Sequence, residues 1–328
     1  MSLFDYMTDV ERLLRDGNQK FVNPADIKKW VNRGRREIAM RAQCIRLVPP
    51  INGPLLSLTV VAPGRGYTNP TLVISGPDSP SNKPINPNGA QATGLVQQIG
   101  GGIVSAALTY GGDGYFQPTC TINDPHGNGA VVTAQTVPLS VINEFQETYN
   151  FSDFPVQNIP GVRAVFAIMG VSSLFSNLRY SWIYKSFSEY QAFIRTYTSQ
   201  YMYTPAVWTQ YGQGVNGTFL CYPIPSQPYQ VEPDCLCLPI DLQSDQDFEA
   251  IPEPWTDAVA YVATALAYES LQNLNFASYH WKQFYDFMGK YSDYARVARA
   301  PSPYQRRYLW WAAMIIPLLD LLRPALGA

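Results

Sequence analysis

Histidine is the side chain most often used for acid–base catalysis, and the chain has two, His126 and His280. A catalytic imidazole needs a neighbouring carboxylate, nucleophile or metal. His126 lies in the turn-forming sequence Pro125-His126-Gly127-Asn128, whereas His280 lies among aromatic residues at helical spacing. The sequence therefore predicts a turn role for His126 and a core role for His280.

Cys235 and Cys237 are separated by one residue, which places both thiols on one face of a predicted strand. A structural zinc site needs four ligands, and no further pair follows at zinc-site spacing. We therefore expect both thiols to pack as small apolar groups. The total of five cysteines is odd and no targeting segment is apparent, so we expect synthesis in a reducing cytoplasm without disulfides.

Glycine-rich segments at residues 64–66 and 100–102 are the candidates for phosphate binding. Neither precedes a predicted helix whose N-terminus could hold an anion, and no Gly-Lys-Ser or Gly-Lys-Thr follows. Both are predicted to be turns. Because the sequence shows no cluster of titratable side chains, it predicts no catalytic activity, no cofactor and no metal site.

Arginines form one basic cluster in the chain, at Arg33, Arg35, Arg36 and Arg41. The pattern fits a solvated helix face, and it also fits contact with an acidic partner. The whole chain has 23 basic and 25 acidic residues, for a formal charge of −2. Bulk electrostatics therefore does not indicate a nucleic-acid-binding surface.

The C-terminal segment at residues 308–322 is too apolar to lie free in water. A membrane span needs about twenty apolar residues, and Pro317, Asp320, Arg323 and Pro324 interrupt this run. Packing against its own domain and membrane binding remain alternatives to docking in a groove of another protein. The docking interpretation predicts contacts by Tyr304, Tyr308, Trp310, Trp311, Met314, Ile315, Ile316, Leu318, Leu319 and Leu322.

Helical periodicity appears at both ends of the chain. Apolar residues recur at helical spacing from Leu3 to Leu14, and a second helix is predicted from Asn23-Pro24, with its apolar face continuing to Ile45. Two more helices are predicted near the C-terminal end. The first begins at Pro254, and the second is capped by Asn275. The sequence predicts an α+β protein in which the N- and C-terminal helix pairs form a bundle with β-hairpin elements.

Residues 54–138 differ abruptly in composition, being rich in Gly, Pro, Asn, Thr and Val with few charges. Residues 63–74 recur as residues 111–122, with matching Gly-x-Gly-Tyr, Pro, Thr and Ile, and Gly89-Ala90 recurs as Gly129-Ala130. This pattern predicts an inserted all-β module with a two-fold internal repeat. The predicted core is then formed by residues 1–53 and 139–300, followed by a C-terminal tail at residues 301–328.

Strand-forming residues dominate the stretch that follows the module. Strands are predicted at residues 141–151, 162–168, 178–184, 206–211, 217–222 and 234–238. Between them, Ser186 and Glu189 match a capping box that should begin a helix. The sequence therefore predicts a hairpin followed by a helix and further strands.

In the order and spacing of these elements the chain resembles the bacteriophage head-to-tail adaptor family, also described as portal–tail connector or head completion proteins. The likeness rests on the basic second helix at residues 27–46, the β-region ending at residues 220–225, and the late helix hairpin opening near residues 251–254. It covers most of the chain outside residues 54–138.

The resemblance implies a structural virion protein at the head–tail junction, made in the host cytoplasm. It implies a homo-oligomeric, dodecameric ring between the portal and the tail, which continues the channel used in genome ejection. DNA would pass through only as cargo, and no membrane would be involved. The C-terminal tails would grip the portal protein, and a tail tube, nozzle or fibre protein would bind at the other end. The module would lie outside the ring as an attachment surface.

Two functions from other classes stay open. A receptor-binding or glycan-binding tail module would use the Tyr67 and Tyr115 turns as sugar platforms. A peripheral membrane protein would be anchored by the C-terminal segment. The 22 tyrosines and the aromatic content of 13% fit any protein with extensive interfaces.

Overall fold

The structure, a computed structural model, describes residues 1–15, 22–79, 89–175, 178–196, 204–212 and 214–298. The described residues form two compact units. The larger unit takes Met1–Phe4 and Arg35–Glu253, and the smaller takes its residues from Asp5–Gly34 and Pro254–Ala328. Residues 54–138 belong to the larger unit, and the three-part division predicted from the sequence stays a prediction.

Helices and strands both occur in the described residues, so the predicted mixture of α and β structure is confirmed. The helices are α1 (Leu3–Leu14), α2 (Pro24–Ala42), α3 (Phe187–Thr196), α4 (Asp257–Ser270) and α5 (Leu274–Ala298). The strands are β1 (Arg46–Leu47), β2 (Leu55–Arg65), β3 (Thr71–Ile74), β4 (Thr93–Ile99), β5 (Gly102–Tyr110), β6 (Cys120–Asn123), β7 (Asn128–Thr136), β8 (Val141–Ile142), β9 (Thr148–Asn150), β10 (Val162–Phe175), β11 (Leu178–Ser181), β12 (Ile183–Tyr184), β13 (Val207–Tyr211), β14 (Thr218–Tyr222) and β15 (Tyr229–Pro239).

The second helix begins as predicted and ends earlier. Asn23 caps it, since its Oδ1 accepts a hydrogen bond from the backbone N–H of Ala25 at 2.9 Å. Gln43 then has a φ of +51°, a left-handed conformation that stops the helix. Ile45 was predicted on the helix face, but its carbonyl accepts from the N–H of Cys237 at 2.9 Å and so lies beside the sheet.

The smaller unit is helical, and α4 is its most buried helix. Nine of the residues in α4 are buried, which is typical of a helix surrounded on several sides. At Gly34 of α2, an added Cβ would lie 3.4 Å from the Cβ of Val262, so the two helices approach closely at this glycine. Tyr6 of α1 and Phe284 of α5 are fully buried.

The starts of the last two helices differ from the prediction by a few residues. Pro254 lies in a turn, where its carbonyl accepts from the N–H of Asp257, the first residue of α4. Asn275 lies inside α5 and does not cap it. The residue before this helix is Asn273, whose carbonyl accepts from the N–H of Ala277 at 3.1 Å.

The first sheet of the larger unit is built on the long antiparallel pair β10–β15. Its order is β1-β15-β10-β11, with β8 pairing with β15 as well. The predicted strand at residues 234–238 is thus the second half of a longer strand. Cys235 faces Ile168 in the register and Cys237 faces Val165, and all four residues are buried.

The second sheet has the order β12-β13-β14-β9 and surrounds Phe219 with aromatic rings. The predicted strand at residues 178–184 is divided between the two sheets, because Trp182 interrupts it. The Trp182 backbone N–H donates to the carbonyl of Val171, and its Nε1 donates to Ser173 Oγ at 3.0 Å. The predicted strand at residues 141–151 is also divided, into β8 and β9.

The described residues of the module at 54–138 form three strand pairs, β2–β7, β3–β6 and β4–β5. β2 leads into the first repeated segment and pairs with β7, which follows the second segment. β5 leads into the second segment and pairs with β4, which follows the first. Between them, Val73 of β3 faces Thr121 of β6, two residues that match in the sequence repeat.

Both ends of the module meet beside the first sheet. The N–H of Val137 donates to the carbonyl of Pro54 at 3.2 Å. The side chain of Gln230 in β15 is buried, and its Nε2 donates to the carbonyl of Ile51 and to Ser79 Oγ, each at 2.7 Å. The Gln230 side chain therefore connects the segment before the module, at Ile51, to a loop of the module, at Ser79.

Candidate functional site

The basic cluster of α2 is largely used within the chain. The Arg35 side chain is fully buried, and its Nε and Nη2 donate to the two carboxylate oxygens of Glu249. Its Nη1 donates to the carbonyl of Ile240 at 2.5 Å. The prediction that Arg35 contacts an acidic partner protein is wrong, because its acidic partner is Glu249 of the same chain.

The other arginines of the cluster are more accessible. Arg36 pairs with Asp241 at 2.6 Å and Arg41 pairs with Glu37 at 2.5 Å, and both side chains are partly exposed. Arg33 is exposed. Contact with an acidic partner through Arg33, Arg36 and Arg41 stays a prediction.

The two Gly-x-Gly-Tyr turns bury their tyrosines. Tyr67 has 5% of its surface exposed and Tyr115 has 0%. The Tyr67 hydroxyl accepts from the N–H of Ala130 at 3.0 Å, and the Tyr115 hydroxyl accepts from the N–H of Ala92 at 2.7 Å. The hypothesis that these rings act as sugar platforms is wrong, because a platform needs an exposed ring face.

An aspartate caps the residues that follow each tyrosine. Asp124 Oδ2 accepts from the N–H groups of Thr68 and Asn69, at 2.9 and 2.6 Å. The carboxylate of Asp78 likewise accepts from the N–H groups of Phe116 and Gln117, each at 2.6 Å. Each aspartate follows the strand of one repeated segment and caps the turn of the other.

The electrostatics of Asp124 follow from these contacts. Burial would raise the pKa of Asp124, but the N–H groups of His126, Gly127, Asn69 and Thr68 all donate to the carboxylate. Together they hold its pKa below the usual range, since hydrogen bonds to the charged form favour it. The carboxylate is therefore a structural cap for the turn that contains His126.

The two histidines and the paired cysteines lie either in a capped turn or in the buried interior. His126 is exposed, and its backbone N–H donates to Asp124 Oδ1 at 2.8 Å. His280 is buried and stacks on Tyr268 with 5.5 Å between ring centroids, and burial lowers its pKa. Burial also raises the pKa of Cys235, and that of Cys237 to about 12, so both thiols stay protonated. Among the described residues, no three His, Cys, Asp or Glu side chains are grouped as metal ligands.

The predicted docking residues, from Tyr304 to Leu322, lie outside the described residues. Their role stays a prediction. Within the part of the chain that the structure describes, no helix is both long enough and apolar enough to span a membrane.

The smaller unit contains an open cavity of about 640 Å³ that the sequence reasoning missed. The rings of Tyr268, Phe276 and His280 line it on one side, and the ring of Tyr268 stacks on both of the others. Arg12 and Arg15, at the end of α1, line it as well. The aromatic spacing along α5 was visible in the sequence, but its proximity to the end of α1 was not.

Comparison with known families gives a match over the second part of the chain. A family model described as SU10 adaptor protein matches residues 128–307, which is more than half of the 328-residue chain. The matched region starts at the first residue of β7 and contains the first and second sheets except β1, together with α3, α4 and α5. No curated protein matches the chain.

Proposed function

The chain belongs to the SU10 adaptor protein family, a family of bacteriophage structural proteins, and on that premise we propose that it joins the phage head to the tail. In this proposal, twelve copies form a ring beneath the portal and continue the DNA channel toward the tail. The family match is the single observation that carries the proposal, because it covers more than half of the chain and includes residues of both units.

Aromatic side chains on the second sheet support an assembled state. Tyr184 and Tyr211 have 52% and 57% of their surface exposed, and Ile183 has 63% exposed. Large rings are enriched where protein surfaces become buried against partners. Neighbouring subunits of the ring would cover this surface.

The C-terminal segment would fix the ring to the portal. Full burial of a large apolar side chain contributes on the order of 1.5–3 kcal/mol, and the segment contains two tryptophans and several leucines and isoleucines. Ordering the segment offsets part of this gain. A ring repeats the contact in every subunit, so that the avidity becomes large.

The module would form an attachment surface on the outside of the ring, and we propose that it is a pair of repeats that exchange strands. The support is the matching set of contacts: Tyr67 with Ala130 and Tyr115 with Ala92. The glycines that begin the two turns, Gly64 and Gly112, have similar φ angles of +59° and +63°. A tail tube, nozzle or fibre protein is the proposed distal partner.

Mass measurement tests the ring directly. The chain has a mass of 36.7 kDa, so twelve copies give about 440 kDa. We expect the purified protein, alone or mixed with purified portal, to form a species near this mass. A protein that stays monomeric in the presence of portal would contradict the proposal, and flotation of that monomer with liposomes would favour the membrane alternative.

A further inference from the structure

The cavity of the smaller unit combines features that apolar packing does not explain. Its volume is about 640 Å³, and it opens beside the turn between α4 and α5. Around that turn, Leu271, Leu274, Phe276 and Tyr279 have between 46% and 69% of their surface exposed. Large apolar side chains exposed side by side are typical of a surface that another protein covers.

The second feature is a buried polar atom without a partner. His280 has 6% of its surface exposed and lines the cavity, and its Nδ1 makes no hydrogen bond with any described residue. Buried polar groups are nearly always hydrogen-bonded, so that an exception needs an explanation. The imidazole of His280, which lines the cavity and stacks on Tyr268, therefore keeps unused hydrogen-bonding capacity.

The third feature is the charge at the cavity. Arg12 and Arg15 are both exposed and line it together with the aromatic rings. Arg12 also pairs with Asp9 at 3.0 Å, with 77% of its side chain exposed. Two cations beside an aromatic wall attract one anionic group that has apolar neighbours.

We propose that this cavity binds a partner protein through a segment that carries one carboxylate side chain between aromatic or aliphatic residues. The carboxylate would pair with Arg12 and Arg15, and the apolar neighbours would cover Phe276 and Tyr279. A nucleic acid fits less well, because its phosphates repeat along the strand whereas the cavity has two arginines, one of them already paired with Asp9.

The two histidines make the test specific. In protein labelled with 13C at histidine, His280 reports on the cavity, whereas His126 lies in the module and serves as an internal control. The probe is the peptide N-acetyl-Phe-Asp-Leu-amide, and the matched control is the same peptide with Asn in place of Asp. We expect saturable movement of the His280 signal only, with the Asn peptide binding on the order of tenfold more weakly.

Variants test whether peptide binding depends on Arg12 and Arg15 or only on the overall charge of the protein. The double variant Arg12→Gln, Arg15→Gln should weaken binding of the Asp peptide on the order of tenfold. Arg163→Gln changes an exposed arginine of the larger unit and should leave binding unchanged. His280→Phe replaces the imidazole with a phenyl ring and so removes both ring nitrogens, and weaker binding by titration calorimetry is expected.

Four results would overturn the proposal. They are a His280 signal that does not respond to the Asp peptide, equal binding of the Asp and Asn peptides, and a larger response to an oligothymidylate than to the peptide. The fourth is movement of the His280 signal when residues 301–328 are removed without any peptide, which would assign the cavity to the protein's own C-terminal segment.

Discussion

The carboxylate of Glu249 accepts two hydrogen bonds from the guanidinium of Arg35, from Nε at 2.9 Å and from Nη2 at 2.8 Å. The two side chains have 0% and 8% of their surface exposed, so water cannot replace either partner. Glu249 also accepts from the N–H of Ile251, and Arg35 donates to the carbonyl of Ile240. The pair therefore fixes the segment after β15 against the second half of α2.

Removal of one member of this pair should be costly. We expect Arg35→Met to lower the free energy of unfolding by about 3–5 kcal/mol, because it leaves a buried carboxylate without its cation. Adding Glu249→Leu should recover much of the loss. Arg41→Met, which breaks a partly exposed pair with Glu37, is the control and should cost about 0–1 kcal/mol. Urea unfolding measures all three, and equal losses in Arg35→Met and Arg41→Met would contradict the prediction.

The buried tyrosine hydroxyls of the module should contribute measurably to its stability. We expect Tyr67→Phe and Tyr115→Phe each to cost about 1–3 kcal/mol, because Ala130 or Ala92 then has a backbone N–H without a partner. Tyr110→Phe changes an exposed tyrosine of the same module and should cost almost nothing. Thermal unfolding followed by circular dichroism gives the comparison. A strong effect in only one of the two turns would argue against matching repeats.

The low pKa of Asp124 predicts a dependence of stability on pH. A carboxyl whose pKa is lower in the folded state stabilises the protein above its unfolded pKa, near 4, and loses this contribution as pH falls toward the folded pKa. We therefore expect Asp124→Asn to have a lower melting temperature than the unmodified protein at pH 6, with a smaller gap at pH 3. Asp286→Asn, at an exposed position on α5, is the control for the general effect of removing one carboxylate.

The module should be removable as a whole but not in part. Because Val137 donates to Pro54, a short Gly/Ser linker can replace residues 54–138, and we expect a soluble protein with its helices intact. Deletion of residues 102–138 alone should give an insoluble product, since β2 and β4 lose their partners β7 and β5. Far-ultraviolet circular dichroism and solubility are the measurements. An insoluble product from the complete deletion would show that the module belongs to the core.

Truncation after Ala300 should leave a folded protein that no longer binds the portal. In the full-length chain, the double variant Trp310→Ala, Trp311→Ala should weaken portal binding by at least about tenfold. Each tryptophan side chain contributes on the order of 1.5–3 kcal/mol to binding when it is buried. Co-sedimentation with purified portal measures both. Normal binding by the truncated protein would contradict docking, whereas flotation of full-length but not truncated protein with liposomes would support membrane anchoring.

Several elements could be read from the sequence because their causes are local. The apolar spacing of α1 and the capping box of α3 predict these helices, and in the structure Ser186 and Glu189 each bond the backbone N–H of the other. The glycines at positions 64 and 112 adopt positive φ angles, as the predicted turns require. In each case the residues that decide the conformation lie within the element itself or next to it in the sequence.

Tertiary structure decided the features whose partners are distant in sequence. Arg35 has the same local pattern as Arg36, but the fold brings Glu249, 214 residues away, to Arg35 and buries the pair. Tyr115 finds Ala92 because strands from two repeated segments pair with each other, and Trp182 divides one predicted strand between two sheets. The cavity beside His280 likewise needs the end of α1 next to α5. Periodicity shows which face of an element is apolar, whereas burial and charge pairing depend on which element packs against that face.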